Sequence, residues 1–194
     1  MVKRLKCLTD YPVDAKLAYQ GVYFSILSWE QEMFDGTKEV FEVAKKADSV
    51  SVIAVTEEKK ILFLEESQPG INSYFSMPGG HLDFKDEDLI QAGLRELREE
   101  TGYTSSDIEL WFQFQPAVKI DYVSNILVAR GCKRVDEVKE LKGERIKVLE
   151  LEFDELLEKI RDERFYNLDI KLELLLAQTD LKRMEKLRAL LYGS

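Results

Sequence analysis

Short runs of hydrophobic residues, separated by polar and turn-forming stretches, occupy the first half of the chain in a pattern typical of β-strands. These runs predict strands over 21–29, 38–43, 50–55, 61–64 and 74–77. Asp35-Gly36 predicts a turn between the first two strands, and the polar stretch 57–60 makes the third and fourth a buried hairpin. The first twenty residues carry little signal, while 67–73, with its Pro, Gly, Asn and Ser residues, predicts a loop.

The second half of the chain combines helices with further strands. A helical period over 89–101 places Ile90, Leu94 and Leu97 on one face, with Asp88 as the N-cap and Gly102 at the C-terminal end. The remaining pattern predicts strands over 108–114, 122–129 and 145–153, a charged loop over 132–144, a helix capped by Asp154 and running to about Arg164, and helical structure over 168–191 divided near Thr179-Asp180.

This order of elements predicts an α/β protein of α+β character, in which helices cover a mixed sheet. Residues 1–46 are expected to form a small antiparallel β appendage, and 47–194 the main domain with the C-terminal helices. A length of 194 residues corresponds to about one domain, and 45% hydrophobic with 34% charged residues is the composition of a folded, soluble protein.

Charge and cysteine content narrow the classes of function. The net charge of −9 repels a phosphate backbone, so general nucleic-acid binding is not expected. Cys7 and Cys132 are too few for a disulfide framework, which favours a reducing compartment. Because the chain shows neither a signal-peptide run nor an apolar segment of about 18 residues, we predict a cytoplasmic protein without membrane contact.

The predicted helix over 89–101 carries three glutamates whose spacing indicates chemistry. Glu96 lies three and four residues before Glu99 and Glu100, so the three carboxylates share one side of the helix. A solvated helix with ion pairs explains Glu99, because Arg95 precedes it by four residues, but it supplies no helical partner for Glu96 or Glu100. Carboxylate oxygens without a histidine or cysteine cluster suit a hard cation, Mg²⁺ or Mn²⁺.

The segment from Gly80 to Tyr103, GHLDFKDEDLIQAGLRELREETGY, resembles the signature of the Nudix hydrolases, G-x5-E-x7-R-E-U-x-E-E-x-G-U with U an aliphatic residue. The upstream glutamate of the pattern falls on Glu87, and the resemblance implies that Glu87 pairs with Arg95 and braces the helix. Two departures are visible: the first interval is one residue longer, which implies a bulged loop before the helix, and Tyr103 replaces the final aliphatic residue.

This resemblance implies a Nudix-type α/β/α sandwich that hydrolyses a nucleoside diphosphate linked to another group. It further implies that the metal is bound by the Gly79 carbonyl, Glu96 and Glu100, with Glu99 binding metal or assisting catalysis. Since metal-bound carboxylates are poor proton acceptors, a general base is expected from elsewhere. Glu144 occupies the matching place before a strand; Glu137, Glu140 and Glu99 are the alternatives.

Short motifs outside this segment are similar to the ADP-ribose and ADP-sugar pyrophosphatase branch, over roughly residues 20–177. They are Gln-Glu-Met-Phe-Asp-Gly at 31–36, Gln68-Pro69, Met-Pro-Gly-Gly at 77–80, Pro-Ala-Val at 116–118 and Gly-Glu-Arg-Ile at 143–146. In that branch the N-terminal strands exchange between two subunits, so the resemblance implies a homodimer.

The same resemblance implies substrate contacts. Tyr23 and Phe41 match the aromatic residues that hold the base, and Lys46 matches a basic contact; the alternative is that both aromatic residues are ordinary sheet residues. Gln68 departs from the branch, which commonly has an arginine before this proline, and an amide cannot replace a guanidinium on a phosphate. The lone histidine, His81, is assigned no role.

The expected function is therefore Mg²⁺-dependent hydrolysis of a nucleoside diphosphate sugar, ADP-ribose or a relative, to a nucleoside monophosphate and a sugar phosphate. One alternative is a Nudix hydrolase of another compound, such as coenzyme A, a dinucleotide or a nucleoside triphosphate. Another is a noncatalytic module that senses a nucleotide sugar. The complete carboxylate set argues against the noncatalytic module, because a pure binder gains nothing from like charges held together.

Overall fold

The computed structural model describes residues 2–82, 88–138 and 143–193 of the chain. Glu87, Glu140 and the predicted bulged loop before the helix lie outside these ranges. The strands are β1 (Lys16–Gln20), β2 (Ser25–Glu32), β3 (Lys38–Lys45), β4 (Ser49–Thr56), β5 (Ile61–Gln68), β6 (Ile71–Ser76), β7 (Gly79–His81), β8 (Tyr103–Thr104), β9 (Asp107–Phe114), β10 (Ile120–Asp121), β11 (Ser124–Arg134) and β12 (Arg145–Leu151). The helices are α1 (Leu89–Thr101), α2 (Phe153–Lys159), α3 (Leu168–Ala177) and α4 (Leu181–Tyr192).

The N-terminal strands form a four-stranded sheet in the order β1-β2-β3-β10, in which β10 pairs in parallel with β3. The predicted turn at Asp35-Gly36 is confirmed, and Gly36 has the positive φ of +82° that favours glycine. β1 was not predicted, because only two of its five residues, Leu17 and Tyr19, are large and apolar, which is too short a pattern to indicate a strand. β2 begins at Ser25 rather than at Gly21, since Gly21 and Phe24 close a turn through a 2.8 Å backbone hydrogen bond.

The main sheet has the order β12-β5-β4-β11-β8, with β6, β7 and β9 pairing to β5, β4 and β11. β4 is antiparallel to β5 and β7 and parallel to β11, so the predicted mixed sheet is confirmed. One hydrophobic core joins this sheet to α1, and a second joins its other face to the three C-terminal helices. The layers are those of the expected α/β/α sandwich.

Two predicted loops are partly strand. The segment 67–73 contains the end of β5, a tight turn at Pro69-Gly70 and the start of β6. Proline followed by a glycine with φ of +81° is the chemistry of a type II turn, so this segment closes a hairpin. Likewise β11 runs on to Arg134, and Cys132, predicted at the start of a charged loop, is buried in the core.

Helix α1 has the predicted ends. Asp88 accepts a hydrogen bond from the backbone N–H of Ile90, and Gly102 adopts the left-handed conformation with its N–H bonded to the Arg98 carbonyl. Glycine in a helix interior lowers helix stability relative to alanine. Gly93 nevertheless fits here because it packs closely on the sheet: a Cβ atom at this position would lie 2.3 Å from Cδ1 of Leu127. The glycine therefore sets the distance between α1 and the sheet.

The C-terminal helices differ from the prediction at one point. Helix α2 begins after Glu152, not Asp154, because Glu152 and Glu155 form a reciprocal capping box, and it ends at Lys159 rather than near Arg164. The predicted division near Thr179-Asp180 is confirmed, since Asp180 caps α4. Within the described ranges, no helix has both the length and the apolar character needed to span a membrane.

Candidate active site

Helix α1 presents Glu96 and Glu100 to the glycine turn at the start of β7. Oε2 of Glu100 accepts a 2.8 Å hydrogen bond from the backbone N–H of Gly79. Burial raises the pKa of Glu100 well above its ordinary value, and the nearby charges of Glu66, Glu96 and Glu144 raise it further, against the opposing hydrogen bond from Gly79. Glu100 is therefore a buried carboxylate held at the glycine turn, and the negative charges of Glu66, Glu96 and Glu144 act on it.

The two glycines of the turn are required by close contacts. A Cβ atom on Gly79 would lie 2.2 Å from the Val50 carbonyl oxygen, and one on Gly80 would lie 2.3 Å from Oε1 of Glu96. Gly79 thus allows the turn to lie against β4, while Gly80 leaves the space that the Glu96 carboxylate occupies.

A buried asparagine, which the sequence did not single out, fixes the start of the same turn. Oδ1 of Asn167 accepts from the backbone N–H of Met77 at 2.8 Å, and its Nδ2 donates to Oγ of Ser51 at 3.0 Å. Asn167 lies ninety positions after Met77 in the chain, so no local pattern could reveal the contact.

Arg95 holds α1 against β7. Its guanidinium donates to Oε1 of Glu96 at 2.7 Å, to Oε2 of Glu99 at 3.4 Å and to the His81 carbonyl at 3.2 Å. The inference that Glu96 has no partner on the helix was wrong, because the adjacent Arg95 side chain curls back to it. Glu99 is the most exposed of the three helix carboxylates and lines a cleft of about 540 Å³ on the outer side of α1.

Gln68 and Glu144 meet at the end of the β5–β12 pair. The antiparallel register ends with Arg145 paired to Ser67, and Glu144 and Gln68 are the residues next to this last pair. Nε2 of Gln68 donates to Oε1 of Glu144 at 2.9 Å. The structure thus brings together two residues that the resemblance had assigned separately, one to the substrate and one to catalysis.

Glu66 belongs to the site and was missed by the sequence analysis. It is two residues before Gln68 on β5, so both side chains project from the same face of the strand. Tyr74 donates to Glu66 at 3.1 Å and Ser76 makes a second hydrogen bond to it. Burial raises the pKa of Glu66, an effect that these hydrogen bonds oppose and the Glu144 charge reinforces. The signal that could have located Glu66 is the alternation Leu62, Leu64, Glu66, Gln68.

Lys46 and Tyr23 lie beside the turn residue His81. Nζ of Lys46 is 4.1 Å from the centre of the Tyr122 ring, and the ring of Tyr23 stacks on His81 with centroids 6.2 Å apart. Burial lowers the pKa of Lys46. Burial lowers the pKa of His81, and the positive charge of Lys46 lowers it further.

Phe41 is placed elsewhere in the N-terminal sheet. It pairs with Trp29, 6.0 Å away between ring centroids, and Nζ of Lys119 lies 4.5 Å above its ring. Four residues of extended chain, roughly 13 Å, separate Phe41 from Lys45 at the end of β3. Within one chain, Tyr23 and Lys46 are therefore neighbours of the glycine turn, and Phe41 is not.

The donor set fits a hard cation. The available atoms are carboxylate oxygens of Glu96, Glu100, Glu144 and Glu66 with the backbone of Gly79, all of the type that Mg²⁺ and Mn²⁺ prefer. Among the described residues, no group of three or more acidic, histidine or cysteine side chains lies close enough together to hold a metal ion. Mg²⁺ is usually held by one or two carboxylates together with substrate phosphates, so an incomplete protein cage is consistent with that use.

Comparison with known proteins agrees with this geometry. The NUDIX domain family model matches residues 45–168. Methanol dehydrogenase activator of Bacillus methanolicus is 32% identical over 165 residues, 84% of this chain and 89% of that protein. ADP-ribose pyrophosphatase of Bacillus subtilis (strain 168) is 25% identical over 166 residues, 84% of this chain and 89% of that protein.

A solved structure has the same fold. The crystal structure of an ADP compounds hydrolase superposes with a TM-score of 0.72, covering 93% of this chain and 97% of that one at 18% identity. The family match spans α1, the glycine turn and Glu144, the three places from which the site is assembled. The chain therefore belongs to the NUDIX family and is a Nudix hydrolase.

Proposed function

We propose that this protein is a Mg²⁺-dependent pyrophosphatase that hydrolyses a nucleoside diphosphate sugar, ADP-ribose or a relative, to a nucleoside monophosphate and a sugar phosphate. The observation that carries the proposal is the 2.8 Å hydrogen bond from the Gly79 backbone to Glu100, which joins the helix carboxylates to the glycine turn of the motif. The ADP-ribose pyrophosphatase relative supports the choice of substrate class.

The metal would be held by Glu96, Glu100 and the Gly79 carbonyl, with Mn²⁺ as the substitute for Mg²⁺. A bound ion supplies positive charge to the phosphoryl oxygens and increases the acidity of the attacking water. Glu99 lies on the more exposed side of α1, so it would assist catalysis rather than hold the metal. Arg95 keeps Glu96 and the His81 carbonyl in place.

Glu144 accepts the proton of the attacking water in this proposal. It stands outside α1 and approaches from the opposite strand, so it can remain a proton acceptor while the helix carboxylates bind metal. Of the alternatives, Glu99 is half-exposed and paired with Arg95, and Glu137 lines the outer cleft. The contact with Gln68 and the charge interaction with Glu100 favour Glu144.

The substrate would enter between the glycine turn and the N-terminal sheet. Tyr23 offers a ring for stacking on the base, and Lys46 offers a charge for a polar group of the substrate. Phe41 would reach the base only from a second subunit, which is consistent with a homodimer that exchanges N-terminal strands.

A second candidate substrate is a nicotinamide dinucleotide. The observation that favours it is the 32% identity to a protein named Methanol dehydrogenase activator, since dehydrogenases use such dinucleotides and these contain a diphosphate. Activation of a dehydrogenase by this chain would follow from hydrolysis of its cofactor.

The test is a substrate panel with purified protein and Mg²⁺ or Mn²⁺. ADP-ribose, other nucleoside diphosphate sugars, NAD⁺, coenzyme A and ATP are incubated separately, and monophosphate release is measured by chromatography. We expect the highest kcat/KM with a nucleoside diphosphate sugar and no turnover with excess chelator. Preference for NAD⁺ would select the second candidate, and no turnover of any compound would refute both.

A further inference from the structure

We propose that Gln68 is a positioning residue for Glu144: its side-chain amide holds the carboxylate toward α1 through one hydrogen bond that leaves the second carboxylate oxygen available. This inference rests on the proposed function and names a residue that acts through Glu144 rather than on the substrate.

The first argument is the strand register. Ile146 pairs with Glu66 and Arg145 with Ser67, and Glu144 and Gln68 are the residues that directly adjoin this last pair. Directly opposed residues on antiparallel strands have Cβ atoms about 4.5–5.5 Å apart, which is within reach of a glutamine amide. The 2.9 Å contact therefore follows from the pairing of β5 with β12 and not from a chance meeting of surface side chains.

The second argument is the face of the strand. Leu62 and Leu64 belong to the buried stretch of β5, and Leu62 packs in the core beneath α1. Glu66 and Gln68 continue the same face by the alternation of the strand. Gln68, which contacts Glu144, thus lies on the face of β5 that packs beneath α1.

The third argument is the choice of an amide. An arginine at position 68 would pair with Glu144 bidentately and neutralise its charge. The glutamine amide satisfies one oxygen and adds no charge. Gln68 can therefore orient the Glu144 carboxylate without forming an ion pair with it.

The variants Gln68→Ala and Gln68→Arg test this inference, with Gln178→Ala as the control, because Gln178 bonds the exposed Arg161 at the distant end of α3. We expect Gln68→Ala to lower kcat about 10-fold to 100-fold with little change in KM, the usual range for loss of a residue that orients a catalytic group. Gln68→Arg should lower kcat as well. If Gln68 contacts substrate phosphate instead, Gln68→Arg would lower KM and keep kcat, which would overturn the proposal.

A double-mutant cycle with Glu144→Gln gives the sharper test. If Gln68 acts through Glu144, Gln68→Ala causes no further loss of kcat in the Glu144→Gln background. Equal losses in both backgrounds, or an unchanged kcat in Gln68→Ala alone, would overturn the inference.

A measurement without substrate separates this inference from the proposed function. The side-chain amide signals of Gln68 in an NMR spectrum should shift in Glu144→Gln and stay in place in Glu137→Gln. If the wild-type protein hydrolyses nothing, the proposed function fails, and these signals alone decide whether Gln68 holds Glu144. Unchanged Gln68 signals in Glu144→Gln would refute the contact.

Discussion

The backbone N–H of Gly79 donates to Oε2 of Glu100 at 2.8 Å, and this bond joins the glycine turn to the last turn of α1. In the same turn, the Glu96 carboxylate packs against Gly80, and Arg95 donates a hydrogen bond to the His81 carbonyl. The spacing of the motif therefore has a physical meaning: it places three side chains of one helix on three consecutive residues of β7.

We expect Glu96→Gln and Glu100→Gln to lower kcat by roughly 10² or more while the fold is kept, as for loss of a positioned catalytic group. Because Glu100 is buried among like charges, the melting temperature of Glu100→Gln should hold or rise, whereas that of Glu96→Gln should fall slightly, since this change also removes the ion pair with Arg95. Kinetics with Mg²⁺ and thermal unfolding by circular dichroism check both statements, with the exposed Glu185→Gln on α4 as control. A wild-type rate in either variant, or in excess chelator, would refute the assignment of Glu96 and Glu100 as metal ligands.

Gly79→Ala and Gly80→Ala should separate stability from activity. At Gly79 the new Cβ meets the Val50 backbone, which cannot move aside, so we expect a marked loss of thermal stability. At Gly80 it meets the flexible end of Glu96, so we expect a folded protein with kcat reduced by about tenfold or more. Equal melting temperatures for the two variants would contradict this account.

The sequence was sufficient for the parts of the molecule that depend on local pattern. The caps of α1 at Asp88 and Gly102, the hairpin of β4 and β5, and the mixed sheet follow from periodicity and turn chemistry, and the structure confirms them. Strand β1 was missed because its five residues hold only two large apolar side chains, Leu17 and Tyr19.

The parts that depend on long-range pairing could not be predicted. Glu66 fell outside every predicted element and Gln68 in a predicted loop, and only the pairing of β5 with β12 and the Gln68–Glu144 hydrogen bond show that this end of β5 lies beside Glu144. The Asn167 contact with Met77 is of the same kind. The inference that Glu96 lacks a partner failed because helical spacing of three and four does not describe a side chain that folds back on its neighbour.

Gly93→Ala should destabilise the protein although alanine is the better helix former. Alanine gains about 1 kcal/mol in helix propensity, but overpacking against Leu127 costs about 1–3 kcal/mol. We therefore expect a lower free energy of unfolding in urea, and recovery in the double variant with Leu127→Val, which removes the obstructing methyl group. A Gly93→Ala protein that is more stable than wild type would show that the contact relaxes freely.

We expect Arg4→Met to lower the free energy of unfolding by an amount that depends on pH. Arg4 bonds Asp48 at 2.6 Å and Asp121 at 2.8 Å, and Tyr11 donates to Asp121 at 2.7 Å. Burial would raise the pKa of Asp121, but these hydrogen bonds and the nearby positive charges outweigh burial and lower it. The stabilisation is therefore present above the unfolded-state pKa of about 3.9 and is lost as the pH falls through the lower pKa of the folded state.

At neutral pH, Arg4→Met should lower the free energy of unfolding by about 1 kcal/mol. The effect is modest because Arg4 is nearly half exposed and solvent weakens its ion pairs. Urea unfolding at pH 7 and at pH 3 measures it, and the difference from wild type should shrink at the lower pH. Lys6→Met is the control, because the pair of Lys6 with Asp10 is fully in solvent. A difference that persists unchanged at pH 3 would assign the effect to packing instead.

The last prediction is that the protein is a homodimer joined through its N-terminal sheet. Apolar side chains are exposed on both faces of this sheet: Tyr19 and Val40, 61% and 73% exposed, lie on one face and Leu17, 58% exposed, on the other, so each face offers apolar surface to a partner. A second subunit would also bring a Phe41 toward the site that its own chain does not supply. Light scattering at micromolar concentration should give twice the chain mass of 22.5 kDa. The double variant Leu17→Glu/Val40→Glu should be monomeric with a raised KM, whereas Leu181→Glu, equally exposed on α4, should leave the mass and KM unchanged. A wild-type mass of one chain, or a monomeric double variant with the wild-type KM, would show that the sheet serves neither assembly nor substrate binding.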